Sequence, residues 1–303
     1  MELIVKTKIN FMGMKKFAFV LSGIIALVGL VGIVQIGRNA ANMGIDFSGG
    51  TSLQLNFAQP VSLEKTRGIL AANNFKEATL QQIKGGNQLL IKVGKSGPDT
   101  GNVAKTIEEV LRKELHGASF SVESSAEIGP SIGDKLKQDT LKAVGLSMLG
   151  IIIYIAWRFD FKFGIGALAA TLHDVLAMVA LFYLLDKEIN LLFITAILTI
   201  AGYSLTDTVV VFDRIRENLH KRFDESIDAL FNKSINEVLS RTVITSLTTF
   251  LAAVSLFLFG GEMIHDFALA LVTGVVIATY SSIFIASPIV SVLENRGQTT
   301  VKA

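Results

Sequence analysis

The sequence predicts a polytopic α-helical membrane protein, a six-helix bundle plus one external α+β domain, and three observations carry that prediction. Half of the 303 residues are hydrophobic and only 18% are charged, with a mean hydropathy of +0.53. Six apolar runs are long enough to cross about 30 Å of hydrocarbon. The basic residues of the short loops fall almost wholly on one side of those runs. Composition also excludes other classes. A net charge of +2, with no basic stripe interleaved with aromatics, argues against nucleic acid as a partner. The absence of cysteine rules out disulfides, thiolate metal sites and cysteine nucleophiles, and leaves the redox compartment open. No cofactor or metal is expected.

The runs lie at 17–37, 141–157, 163–185, 189–212, 243–259 and 267–290. The first follows Lys15 and Lys16 as a signal peptide would. Its apolar core of about 20 residues exceeds the roughly 7–15 of a cleavable segment, so it reads as a retained anchor. Orientation follows from the basic residues. Lys6, Lys8, Lys15, Lys16, Arg158, Lys162, Arg214, Arg216, Lys221, Arg222, Lys233, Arg241, Arg296 and Lys302 share one side, whereas the opposite short loops hold only Lys187. Both termini are therefore expected in the cytoplasm, in a multi-pass membrane protein. The expected map is a cytoplasmic N-terminus at 1–16, the first helix at 17–37 and an external domain at 38–138. Transmembrane helices 2–6 follow over 139–292, and a cytoplasmic tail over 293–303.

The external segment has its own pattern. "TSLQLNFAQ" (51–59) alternates as a strand, and "SLEKTRGILAANNF" (62–75) runs with helical spacing behind Ser62 as N-cap. "ATLQQIK" and "QLLIKV" are strands flanking the turn signal "GGN". A second helix ends at Gly117, and "ASFSVESSAEI" is the last strand. The order β-α-β-β-α-β predicts a ferredoxin-like split unit. His116 stands alone and reads as a solvated helix-end residue. "GIDFSGGT" (44–51) is not a phosphate loop, because a membrane helix precedes it and a strand follows. Gly49 and Gly50 instead provide a tight turn. Over 213–240, Phe212, Ile215, Leu219, Phe223, Ile227 and Leu230 recur at helical spacing among basic residues. This predicts an amphipathic connector lying on the inner membrane face.

Ionisable residues inside the runs are the candidate functional groups. His173 and Asp174 fall near the middle of the third run. They are either part of a proton path or a static polar pair between helices. Arg241 precedes the fifth run, where it can also snorkel to lipid headgroups. Asp207 lies seven residues before Arg214, about 10 Å inside the cytoplasmic edge. Its own turn offers only Tyr203 and Ser204, and Val210 and Val211 follow. A charged Asp207 needs a cation from another helix, and a neutral one must hold its proton. Intramembrane acids facing a bundle interior are by default proton or ion carriers. Depth makes Arg241, on the adjacent antiparallel helix, the expected partner.

Four stretches in order, "GIDFSGGT", "GYSLTDTVVVFDRIREN", "SRTVITSLTTFLA" and "TYSSIFIASPI", resemble the SecD/SecF family of the resistance-nodulation-division superfamily. The resemblance covers nearly the whole chain. It implies the smaller subunit of an accessory complex in protein export, a multi-pass protein of the bacterial inner membrane. The partners it implies are a SecD-like membrane subunit, the SecYEG translocon channel, the unfolded exported polypeptide and the lipid bilayer. It further implies proton-driven, non-enzymatic action, with Asp207 and Arg241 as the proton relay and His173, Asp174, Ser204 and Thr206 as supporting polar residues. Thr206 stands where many members carry Asn, and Ala278 where Gly is common. Three other readings stay open: a lipid or drug exporter of the same superfamily, a purely structural assembly subunit, and an aspartyl protease built on Asp174 and Asp207.

Overall fold

The computed structural model describes residues 7–38, 40–83, 87–94, 103–115, 119–221 and 225–301. Lys6, Gly85 and Gly86 of the expected hairpin, His116, Gly117, Arg222, Phe223 and Lys302 lie outside the described residues, as does the side chain of Arg296. The chain forms two compact units, Met43–Lys142 and the remainder. The fold class is the one the sequence predicts.

In the smaller unit, a short helix α2 (Ile45–Ser48) turns through Gly49, φ +68°, into strand β1 (Gly50–Phe57). Gly50 has φ +131°, and a Cβ there would lie 2.4 Å from the Val93 carbonyl oxygen. Only glycine fits both the backbone and the space. Helix α3 (Leu63–Ala72) starts where the Ser62 hydroxyl caps the Lys65 N–H. Strands β2 (Thr79–Ile83) and β3 (Gln88–Val93), helix α4 (Val103–Glu114) and strand β4 (Phe120–Ile128) complete the β-α-β-β-α-β order. The sheet order is β2-β3-β1-β4, antiparallel throughout. Alternation puts Leu53, Leu55, Leu89 and Ile91 on one face, where they pack with Leu70 of α3 and with Ile107 and Leu111 of α4. A bulge between Gln54 and Leu55 leaves Glu123 without a strand partner. Its carboxylate instead accepts from the amides of Gln54 and Gln88.

The larger unit holds α1 (Lys15–Gly37), most of α5 (Pro130–Arg158), α6 (Phe161–Leu184), α7 (Leu191–His220), α8 (Ile227–Phe259), α9 (Glu262–Ser281), a π-helical turn (Ser282–Ala286) and α10 (Ser287–Val301). Among the described residues six helical stretches are long and apolar enough to cross a membrane, the last running through the π turn. α6 packs against α1, α7 and α9, and α9 packs in turn against α7 and α8. α1 meets α6 through the buried glycines Gly29 and Gly32, while Ala18 and Ser22 meet Tyr280 of α9. A Cβ on Gly29 would lie 2.3 Å from the Leu176 carbonyl oxygen. Small residues permit this approach, which supplies the dispersion contact that lipid cannot replace.

One expectation is corrected. The stretch 213–240 is not one amphipathic helix but belongs to the ends of two long ones. α7 continues to His220 and α8 begins at Ile227. Ile215, Ile227, Leu230, Phe231 and Ile235 are buried in a seam within the bundle core. The apolar stripe that reads as a membrane-facing surface is thus a helix–helix seam. Asn218 bonds Ser234 and Glu237 across it, and Arg214 bonds Glu237 at 2.7 Å. Lys15–Asp228, Arg158–Asp213 and Lys162–Glu294 are further ion pairs joining the helices. Such partly exposed pairs contribute about 0–1 kcal/mol each, so they mark the helix ends more than they hold them.

Candidate functional site

The polar interior of the bundle is built where α6, α7 and α9 meet. α6 brings Asp174, 0% exposed, and His173, 6% exposed. α7 brings Ser204 and Asp207, the latter 7% exposed. These two are three residues apart and so share a helix face. Ser281 ends α9 and Ser282 opens the π turn, both fully buried. Consecutive helical residues point about 100° apart. One serine therefore reaches α6 while its neighbour reaches α7.

The hydrogen bonds follow that geometry. Asp174 accepts from the Ser204 hydroxyl, from Ser281 Oγ at 2.8 Å and pairs with His173 Nδ1 at 3.2 Å. Asp207 accepts from Ser282 Oγ at 2.7 Å. Thr242 of α8 faces the same carboxyl group, although its buried hydroxyl makes no bond of normal geometry. Among the described residues neither carboxyl group has a Lys or Arg partner within 4.0 Å; the only basic group on either is His173. Removing a carboxylate from water without a cation is costly. Hydroxyl donors are the compensation supplied here.

A second set of hydroxyl contacts links the same helices to α8 and α1. Ser246 of α8 accepts from Tyr203 of α7 at 3.2 Å and from Thr279 of α9 at 2.7 Å. Tyr280 meets Ser22 of α1 at 3.0 Å, and its ring lies 6.1 Å from that of His173. Ser287 Oγ bonds the Ser282 carbonyl at 2.9 Å across the π turn. π turns in α-helices recur at functional sites.

The structure thus brings His173, Asp174 and Ser204 into one cluster, with Asp207 held by the next serine along. Two expected residues lie elsewhere. Thr206 is exposed and bonds the Gly202 carbonyl, because one residue before Asp207 points to another face. Arg241 is exposed and forms no ion pair with Asp207; the residue that faces Asp207 is its neighbour Thr242. Sequence reasoning missed Ser281, Ser282 and Thr242. The signal was available for the first two: Thr279, Tyr280, Ser281 and Ser282 are four hydroxyls in succession within an apolar run. Asp174 and Asp207 hydrogen-bond to different serines, which is not the shared-proton arrangement an aspartyl protease needs. The site thus holds two enclosed carboxyl groups, each within hydrogen-bond reach of serine hydroxyls.

Comparison with known proteins gives a consistent picture. Residues 107–296 match the family described as "Protein export membrane protein SecD/SecF, C-terminal", and residues 41–61, which include Gly49 and Gly50, match "SecD/SecF GG Motif". The chain is 52% identical to protein translocase subunit SecF of Thermodesulfovibrio yellowstonii, over 96% of this chain and 97% of that one. It is 40% identical to the subunit of the same name from Calditerrivibrio nitroreducens, over 95% of each. In structure it is similar to the crystal structure of SecDF, a translocon-associated membrane protein, from Thermus thermophilus. The TM-score is 0.85 at 35% identity, covering 96% of this chain and 39% of that one. A super-membrane-facing form of SecDF matches with TM-score 0.70, covering 99% of this chain and 41% of that one. The chain therefore spans about two fifths of the length of those SecDF chains.

Proposed function

The chain belongs to the SecD/SecF family of protein-export membrane proteins, and from that membership we propose that it is the smaller subunit of a proton-driven export accessory. It is a transport component rather than an enzyme. It pairs with a SecD-like membrane subunit that supplies the other half of a twelve-helix assembly. Together they use the proton gradient to favour forward movement of unfolded polypeptides leaving the SecYEG channel. Both termini lie in the cytoplasm and the unit Met43–Lys142 lies outside it.

The observation that carries the reading is Asp207, an acid enclosed in a membrane bundle, bonded to Ser282 and, among the described residues, without a Lys or Arg within 4.0 Å. A proton crossing the full membrane carries about 2.3 kcal/mol per 100 mV, enough to bias a two-state bundle if its protonation is felt by the helices. In the arrangement described, Asp207 is served by a hydroxyl. In the alternate one Arg241, one residue from Thr242 on α8, turns inward and pairs with the carboxylate. Switching between these partners couples proton loading to rotation of α8. The exposed apolar residues Leu146, Leu149, Ile153 and Trp157 on α5 and Leu247, Leu251 and Phe259 on α8 provide the surface for lipid and for the partner half. The test is Asp207→Asn in the assembled complex. It retains membrane insertion and partner binding while losing proton-dependent stimulation of export. Full stimulation in that variant would support the purely structural subunit instead.

A further inference from the structure

We infer that Asp174 is a second proton-binding carboxyl group of the bundle and that Ser281 and Ser282 couple its protonation to that of Asp207. This rests on the proton-driven reading of Asp207 and extends it to α6 and α9.

The first support is the kind of partner Asp174 has. A carboxylate that only braces a bundle is best served by a fixed cation or by donors that cannot reverse. Asp174 is served by two hydroxyls and an imidazole, groups that both donate and accept. While Asp174 is ionised, Ser204, Ser281 and His173 Nδ1–H all donate to it. Once it is protonated, one of those bonds must reverse. With the proton on Oδ2, Ser281 Oγ accepts from the carboxyl O–H and turns its own hydrogen to the Ala278 carbonyl, 3.1 Å away; with the proton on Oδ1, the bond to His173 Nδ1 is the one that reverses. Ser282 has the same second acceptor, the Thr279 carbonyl at 3.1 Å, for use when Asp207 is protonated. Each acid therefore faces a serine with partners in place for both protonation states.

The second support is position. The two serines are consecutive and sit at the junction of α9 with the π turn. Reversal at either acid places a hydroxyl hydrogen on the adjacent carbonyls of Ala278 and Thr279, in the turn that precedes the π segment. Ser287 ties the far end of that segment to the Ser282 carbonyl. One short stretch of backbone thus receives the protonation state of an acid on α6 and an acid on α7.

The third support is His173. Its Nε2 is buried and, among the described residues, has no hydrogen-bond partner. With Nδ1–H committed to Asp174, Nε2 is an open acceptor. A proton arriving there forms a new N–H, and the Nδ1 proton passes to Oδ1 of Asp174. The imidazole stays neutral with its tautomer exchanged, and the carboxyl group becomes neutral. The proton comes from the gradient that drives the complex. The groups facing Asp174 are His173 on its own helix, Ser204 from α7 and Ser281 from α9, with the Tyr280 ring beside His173. Those facing Asp207 are Ser282 and Thr242.

The experiment uses the full chain purified with its SecD-like partner and placed in lipid vesicles. Proton flux is measured under an imposed gradient, and carboxyl infrared bands are recorded across pH. Asp174→Asn keeps the size and most of the hydrogen bonding of the site. We expect it to lower proton flux by about a hundredfold and to remove one titrating carboxyl band, with the complex still assembled. Ser281→Ala should leave both bands but displace the Asp174 titration, and Ser282→Ala should displace that of Asp207. Flux within about twofold of the parent in Asp174→Asn, or a carboxyl spectrum that it does not alter, would overturn the inference and make Asp174 a structural brace. If Asp174→Asn fails to assemble, the Ser281→Ala titration decides: an unmoved Asp174 band rejects the coupling. Asp207→Asn is run in parallel. Undiminished flux there refutes the proton reading itself, whereas loss there with retention in Asp174→Asn refutes only this inference.

Discussion

At the scale of the residue, Asp207 is enclosed within the bundle and accepts a hydrogen bond from Ser282 at 2.7 Å. Asp207 stands out because a carboxyl group inside an apolar run must have a reason. Depth along the chain also placed Arg241 at a matching height, yet height does not give the direction in which a side chain points. A single residue, about 100° of helix rotation, separates exposed Arg241 from Thr242, which faces the acid. Ser282 lies 75 residues from Asp207, and hydroxyls are common in membrane helices, so nothing local marked the pair. Arg241 carries a prediction here. If it pairs with Asp207 in an alternate state, Arg241→Lys loses the planar fork and lowers export stimulation at least about fivefold, since a charge-assisted bond contributes roughly 1.5–3 kcal/mol. Unchanged stimulation measured in vesicles with the assembled complex would mean that Arg241 only snorkels to lipid.

At the scale of the element, periodicity found the helices and strands but could not tell which surface each apolar stripe meets. The stripe from Phe212 to Leu230 has the spacing of an interfacial helix. It is a seam between the ends of two long helices, closed by Asn218 and Ser234. Strand alternation was more informative, since Leu53, Leu55, Leu89 and Ile91 had one place to go. Glycine was informative where it stood beside a turn, as at Gly49 and Gly50, and silent where it marked a close approach, as at Gly29. The structure makes that last position testable. Gly29→Ala puts a methyl group 2.3 Å from the Leu176 carbonyl oxygen, so α1 and α6 must separate. Overpacking of this kind costs about 1–3 kcal/mol. A lowered midpoint is expected in thermal unfolding of the detergent-solubilised protein. Gly23→Ala, where a Cβ meets nothing within 4 Å, is the control expected to leave the midpoint unchanged.

At the scale of the whole molecule, composition and loop charge were enough for a membrane bundle with one inserted α+β unit. They also predict its orientation, which the absence of cysteine makes simple to check. Lys8→Cys and Ser121→Cys each introduce the chain's single thiol at an exposed position. A membrane-impermeant maleimide applied to intact spheroplasts should label Ser121→Cys and leave Lys8→Cys unlabelled until the membrane is opened. The opposite pattern would invert the proposed topology and place the Asp207 end of the bundle outside. The central claim is that protonation of the bundle acids drives export, and proton flux through the assembled complex in vesicles tests it most directly. The account predicts that Asp207→Asn assembles normally and loses gradient-driven proton flux together with stimulation of export; parental flux in an intact Asp207→Asn complex would contradict it.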